Sequence, residues 1–391
     1  MKIALFSPLN PVKTGISDYT EEMLFPLNKY MDIDLYIDET YLPVNKEIQS
    51  HFAIMPFRIN EFNPSKYDEI VYHMGNYYAG HKYIYEALKR FSGIVVLHDC
   101  VLQGFYAERF SETKNFEEYR QLLRKYYFQK GEEIARHTAQ KMPSPIWESD
   151  EAFEYPLNEE ILEHARALIV HSNFVRNRIK KVTSKPVAKI NLHGHFIKTF
   201  DTDKIRKKLG CENEDVLICS TGFVNKNKRY DIIFSAIAEL DRYKIKYVIA
   251  GLDRGNILDN VWNENLKNVI VLGHLPIRDL EGLICASDIC INLRYPTMGE
   301  SSSSLLRKMG YGKPTLVSNF GSYAELPDYC VLKIYPDIDE KEMIKRSIAA
   351  LISDKDFRLS IGREAKDYIQ KECNIEKCAA EYAAFIKNKK E

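Results

Sequence analysis

The sequence has no Cys-x-x-Cys pair, no cysteine–histidine cluster at zinc-ligand spacing, no net charge and no apolar run long enough to cross a bilayer. Each absence removes a class of function. The 55 basic and 55 acidic residues cancel, which leaves no electrostatic footprint for a nucleic-acid partner. Cys100, Cys211, Cys219, Cys285, Cys290, Cys330, Cys373 and Cys378 are scattered and several lie in apolar runs. They read as reduced thiols of a cytosolic chain rather than a disulfide framework. The opening Met1-Lys-Ile-Ala-Leu-Phe-Ser-Pro8 holds too short an apolar run for a signal peptide, so the expected location is the cytoplasm. What remains is ordinary globular material, 45% hydrophobic and 28% charged. Its 391 residues exceed what one core usually supports, so two domains are expected.

Short apolar runs at Ile3 to Phe6, Ile33 to Ile37, Glu69 to Tyr72, Ile94 to Leu97 and Ala167 to Val170 alternate with amphipathic stretches such as Tyr83 to Arg90. The rhythm restarts at Val216 to Ser220 and continues through Tyr247 to Ala250, Val269 to Leu272, Ile289 to Leu293 and Thr315 to Val317. Alternation of this kind predicts an α/β chain with parallel, doubly wound sheets, whose ligands sit beyond the carboxyl ends of the strands. The charged stretch Asp201 to Gly210 reads as a linker plus a short helix. The segment 104–159 interrupts the rhythm as a helical insertion rich in Tyr, Phe and Arg. There Lys125 and Tyr126-Tyr127-Phe128 either line the core or form a face toward acceptor or membrane surface.

The most informative run is Arg294-Tyr-Pro-Thr-Met-Gly-Glu-Ser-Ser-Ser-Ser-Leu-Leu-Arg-Lys-Met-Gly-Tyr-Gly-Lys-Pro-Thr-Leu-Val-Ser318. Pro296 and Gly299 mark a loop, Ser301 to Ser304 offer an N-cap and first turn, and Leu305, Leu306 and Met309 form an apolar stripe. Gly312 fits a left-handed cap, Pro314 stops the helix, and Thr315-Leu316-Val317 starts a strand. A helix start with free N–H groups and the hydroxyls of Ser301, Ser302, Ser303 and Ser304 is suited to an anion. Glu300, following the loop glycine Gly299 and just ahead of the helix, suits a different partner, because a carboxylate repels phosphate but accepts from sugar hydroxyls. Phosphate and polyol together describe a nucleotide-sugar.

This run, with the continuation Asn319-Phe-Gly321-Ser-Tyr-Ala-Glu325-Leu-Pro-Asp328, resembles the donor-binding signature of the retaining glycosyltransferases of the GT-B fold, family 4. The resemblance extends over the whole length. It implies two doubly wound Rossmann-like domains facing a cleft: residues 1–200 on the acceptor side, 201–370 for the nucleotide-sugar, and a terminal helix at 371–391 returning to the first domain. The family carries two glutamates separated by seven residues. Counting from Glu300 reaches Lys308, whereas anchoring on Gly-Lys-Pro puts Arg307 where the ribose-binding glutamate belongs. In Thr221-Gly222-Phe-Val-Asn-Lys-Asn-Lys228 the family has a Gly-Arg and then a Lys aimed at the diphosphate; Lys228 keeps the spacing, but Phe223 replaces the arginine. Arg294 and Arg307 are the candidates to compensate. The loop Pro8 to Tyr19 with Gly15 resembles the family's N-terminal loop, whose backbone approaches phosphate or acceptor. His98, ending the run Val95-Val-Leu, stands where the family places a histidine beside the reacting sugar carbon. It would orient and polarise a hydroxyl in a same-face mechanism. His73, Asn76, His81 and His171 are further cleft-lining candidates, and His193 and His195 lie near the domain crossover.

The loop Gly273 to Ile277, including Leu275, is the expected seat of the base. Asp32-Ile-Asp34 and Asp337-Ile-Asp339 spell a metal-binding Asp-x-Asp by coincidence, and no metal or cofactor is expected beyond a UDP- or GDP-linked donor. The reading is a hexosyl transferase acting on a hydroxyl of a glycan or lipid-linked acceptor in polysaccharide biosynthesis, cytoplasmic with peripheral contact at the inner membrane face. A GT-B sugar-nucleotide 2-epimerase and a non-catalytic GT-B partner subunit are the alternatives.

Overall fold

The computed structural model describes residues 1–140, 145–194, 198–253, 255–261 and 268–388; His195 and the chain end 389–391 lie outside them. Two compact units form. The first comprises Met1–Leu192, Met298–Ser301 and Ile375–Glu391, and the second His193–Thr297 and Ser302–Asn374.

The first unit is built on strands β1 (Lys2–Phe6), β2 (Asp32–Ile37), β3 (Ala53–Pro56), β4 (Glu69–Met74), β5 (Ile94–Leu97), β6 (Ala167–Val170) and β7 (Val187–Lys189). They form one sheet in the order β3-β2-β1-β4-β5-β6-β7, with every pair parallel. Runs such as Ile94-Val-Val-Leu97 are buried throughout, as expected of strands covered on both faces. The order reverses direction between β1 and β4, which makes that edge a topological switch point. The Ile375–Asn388 helix belongs to this unit and packs on the Gly15–Asn28 helix. Ala379 and Ala383 allow the approach, and the Tyr19 and Tyr382 hydroxyls meet at 2.6 Å.

The segment 104–159 is largely helical but not as one continuous rod. The Phe116–Ala139 helix is broken at Phe128 (φ 52°, ψ −124°), and its two arms fold back on each other. Arg120 Nε donates to Glu132 Oε2 at 2.8 Å, and a Cβ at Gly131 would strike the Leu123 carbonyl. The aromatic stretch therefore divides. Tyr126 and Tyr127 pack against the core, Tyr127 donating to Glu159, while Phe128 at the reversal is 76% exposed. Among the described residues no helix is long and apolar enough to cross a membrane.

The second unit carries β8 (Val216–Thr221), β9 (Ile245–Ala250), β10 (Val269–Val271), β11 (Ile289–Asn292), β12 (Thr315–Ser318) and β13 (Leu332–Ile334). Their order is β10-β9-β8-β11-β12-β13, again all parallel, with the switch point between β8 and β11. Both sheets are thus the expected doubly wound kind. The Ser303–Gly310 helix is capped by Ser302 Oγ, which accepts from Leu305 N–H at 3.2 Å. Gly312 takes the left-handed conformation (φ 71°) that lets the chain turn into β12.

Candidate functional site

In the second unit the functional side chains gather at the switch point. β8 ends at Thr221, and Gly222 (φ 88°) turns the chain so that a Cβ there would lie 3.2 Å from Lys228 Nζ. Lys228 is 6% exposed and donates to the Thr221 carbonyl at 2.8 Å. Across the switch, β11 ends at Asn292. Arg294, two residues on, is anchored by its N–H on Ser318 Oγ and sends Nη1 to Asn227 Oδ1 at 3.3 Å. The Ser303–Gly310 helix closes the arrangement: Ser304 Oγ lies 2.8 Å from Thr221 Oγ1 and accepts from Lys308 Nζ at 2.7 Å. Lys308, fully buried, also donates to Asn292 Oδ1 at 2.9 Å.

Three cationic side chains therefore share one buried place. Burial pushes the Lys228 ammonium well below its ordinary range, with Arg294 and Lys308 adding repulsion. Burial lowers Lys308 to about 8, while the thiols of Cys290 and Cys219 pull it back up and Arg294 pushes it further down. Neither lysine has a carboxylate partner among the described residues. Keeping Lys308 charged in the ligand-free protein costs on the order of 3 kcal/mol relative to water. A folded protein retains such a group where an anion is to be received. The sign of the linkage follows. The unfolded chain holds this proton more tightly, so the destabilisation is full below pH 8 and fades as pH rises from about 8 toward 10.5.

One expectation is corrected. Arg307 does not join the cluster as a phosphate cation. It is buried, and its Nη1 donates to Glu281 Oε1 at 3.1 Å on the neighbouring Ile277–Ala286 helix; Lys198 holds the other oxygen at 2.9 Å. Its guanidinium is thus paired with a carboxylate away from the cluster. In the expected base loop, Leu275 is partly buried and packs against an apolar cluster of this unit, while His274 and Ile277 are exposed. Gly273 (φ 66°) has open space around it.

In the first unit, three histidines at the carboxyl edge of adjacent strands form a row. His98 Nε2 lies 3.1 Å from His73 Nδ1, and His171 Nε2 lies 3.3 Å from His98 Nδ1. The row ends on the Ile190 carbonyl, 3.0 Å from His171 Nδ1, and runs through Thr20 Oγ1 to Ser7 Oγ at its other end. A carbonyl can only accept, so His171 Nδ1 carries hydrogen. With neutral rings, that requirement passes the Nδ1–H tautomer along to His98 and His73. Both nitrogens of His98 are thereby engaged, and the expected polarisation of a hydroxyl by His98 needs one of these contacts to open. Asp99 Oδ2 accepts from Asn76 N–H at 2.8 Å, and Gly15 begins a helix capped by Thr14.

The short segment Met298–Ser301 is fixed by the N–H groups of Cys100 and Val101, both donating to Met298 O. Glu300 Oε2 accepts from Met298 N–H at 2.7 Å and so holds its own loop. Gly299 has φ 76°, and a Cβ there would lie 2.5 Å from Cys100 Cβ. Gly299→Ala is expected to destabilise the protein by roughly 1–3 kcal/mol, read as a lowered melting temperature. An unchanged melting temperature would show that the loop relaxes freely.

The Asp-x-Asp pairs serve other ends: Asp34 pairs with Lys2 at 2.8 Å, and Asp337 Oδ1 accepts from Asp339 N–H. Among the described residues no group of three or more His, Cys, Asp or Glu is arranged to hold a metal ion. Anion chemistry at the β8–β11 switch point is what the geometry offers.

Residues 201–368 match the family model of glycosyl transferases group 1. This is the segment that carries the buried cations. An uncharacterized glycosyltransferase of Methanocaldococcus jannaschii is 28% identical over 227 residues, covering 54% of this chain and 54% of that protein. The match thus spans about half the length of this relative. Among solved structures, Anabaena HepE in complex with UDP and glucose aligns with a TM-score of 0.68 at 15% identity, over 99% of both chains. Sucrose-phosphate synthase from Thermosynechococcus elongatus gives 0.68 at 15% identity, covering 99% of this chain and 98% of that one. At such identities the likeness is one of fold, and the fold is GT-B.

Proposed function

We propose that the protein is a retaining glycosyltransferase that moves a hexosyl group from a UDP- or GDP-sugar to a hydroxyl of a glycan or lipid-linked acceptor. The observation that carries this reading is the pair of buried lysines without carboxylate partners at the switch point, beside Arg294 and the hydroxyl-rich start of a helix. A diphosphate supplies the missing negative charge there. The family match over residues 201–368 supports the donor class.

In the proposed reaction the bond between the sugar's anomeric carbon and the diphosphate oxygen breaks as the acceptor oxygen bonds to that carbon from the same face. The acceptor's proton passes to the departing phosphate oxygen. Lys228 and Arg294 neutralise the charge that grows on the leaving group, and the N–H groups of the Ser303–Gly310 helix add their dipoles. Glu300 accepts from sugar hydroxyls, and His98 orients the sugar once its contact with His73 or His171 opens. Because side chains and a helix supply the neutralisation, no metal ion is assigned a part.

The test is a panel of UDP- and GDP-sugars followed by thermal shift and donor hydrolysis. At least one donor is expected to raise the melting temperature and to be hydrolysed slowly without acceptor. After metal stripping and with excess EDTA, that hydrolysis is expected to persist at its full rate. Abolition by EDTA with rescue by Mg²⁺ or Mn²⁺ would overturn the electrostatic assignment, and failure of every donor would overturn the transferase reading.

A further inference from the structure

We propose that Lys308 is a buried electrostatic partner of the diphosphate, and that nucleoside diphosphate binding to this protein takes up a proton. The inference rests on the donor reading above and assigns Lys308 to that same site. Three observations carry it.

Lys308 lies beneath the floor of the site. Its ammonium reaches Ser304 Oγ and Asn292 Oδ1, and Ser304 in turn touches Thr221, whose carbonyl holds Lys228. The two lysines thus approach the Thr221–Ser304 contact from different elements. The amide nitrogen of Asn292, on a residue more than nine-tenths buried, has no hydrogen-bond partner. It is a further donor at the same spot.

Among the described residues no carboxylate faces Lys308. β8 and β11 present the thiols Cys219 and Cys290, whose sulfurs lie 3.5 Å apart. The loop after β11 presents Arg294, and the short turn before Tyr230 presents Lys228. On the neighbouring Ile277–Ala286 helix, Glu281 is taken by Arg307 and Lys198. Lys313 donates to the Cys285 carbonyl, and Lys366 of the Lys355–Glu372 helix lies beside Gly312. Among the described residues Lys308 donates to the neutral oxygens of Ser304 and Asn292.

Crowded cations without an anion hold protons weakly, and burial strengthens the effect. A diphosphate reverses it. Its charges favour the ammonium form, so the ligand binds the protonated site more tightly and must draw a proton in by linkage. At pH 8 a terminal phosphate, whose second ionisation lies near pH 6, has already lost its proton and cannot mask the effect.

The experiment is titration calorimetry of the full chain with UDP and GDP at pH 8, in two buffers of different ionisation enthalpy. The expected result is net uptake of roughly half a proton or more per nucleotide. Lys308→Met is expected to reduce that uptake and to bind on the order of tenfold more weakly. Its ligand-free form should melt at least as high as the parent, the opposite of what loss of a structural lysine would do. Binding without proton exchange in the parent overturns the proposal even if the variant fails to fold, and leaves the donor reading standing. Uptake that survives in Lys308→Met but disappears in Cys219→Ala assigns the proton to the thiol pair and also overturns it. Failure of both nucleotides to bind overturns this proposal together with the donor reading.

Discussion

Replacing Lys228 with methionine is expected to lower donor turnover by about 10²–10³-fold while leaving the ligand-free protein folded and no less stable. The two halves of that expectation have one cause. Lys228 is buried with its ammonium on a single carbonyl, so it contributes repulsion rather than an ion pair to the empty fold. A methionine of similar length fills the space without the charge, and the Thr221 carbonyl keeps a second donor in Ser304 Oγ. Once the diphosphate leaves the sugar, the same charge is directed at the growing negative charge, where a preorganised cation acts most strongly. The loss should therefore appear in kcat as well as in nucleotide affinity. Steady-state donor hydrolysis and a melting curve on one preparation check it. A variant that is both unstable and normally active per folded molecule would place Lys228 in the scaffold instead.

The parts of this fold legible in the sequence are those set by local rules. The strands from Ile3 to Val170 and from Val216 to Val317 show as apolar runs because both faces of a parallel sheet are covered. The Ser303–Gly310 helix shows because its cap, stripe and stop lie within one short stretch. What was illegible depends on which distant residues meet. Arg307 looks available for phosphate until the neighbouring helix is seen to bring Glu281 against it from 26 positions away. His98 reads as a lone strand-end histidine. Only the order β4-β5-β6 shows that His73 and His171 flank it at the same level. Counting from Glu300 reaches Lys308, but nothing local reveals that its side chain passes under Ser304 to Asn292. The reversal at Phe128 has no signal of its own, because contacts between the two arms rather than the exposed Phe128 side chain set it, and Gly131 opposite Leu123 is its one trace.

Glu300→Gln is expected to cripple sugar transfer while leaving the affinity for the bare nucleoside diphosphate near that of the parent. Glu300 Oε2 accepts from the Met298 N–H, and a glutamine oxygen can accept the same hydrogen, so the loop around Gly299 keeps its conformation. What is lost is the charge and one acceptor. Under the proposed function those belong to the sugar hydroxyls, where each hydrogen bond to a charged group contributes roughly 1.5–3 kcal/mol. Two such bonds amount to a loss on the order of 10²–10⁴-fold in kcat/KM. Glu300→Ala removes the loop contact as well, and is expected to lose thermal stability that the glutamine variant keeps. Calorimetry with the bare nucleotide, set beside transfer kinetics with the full donor, separates the roles. If glutamine weakens nucleotide binding as much as it weakens transfer, Glu300 contacts the nucleotide rather than the transferred sugar.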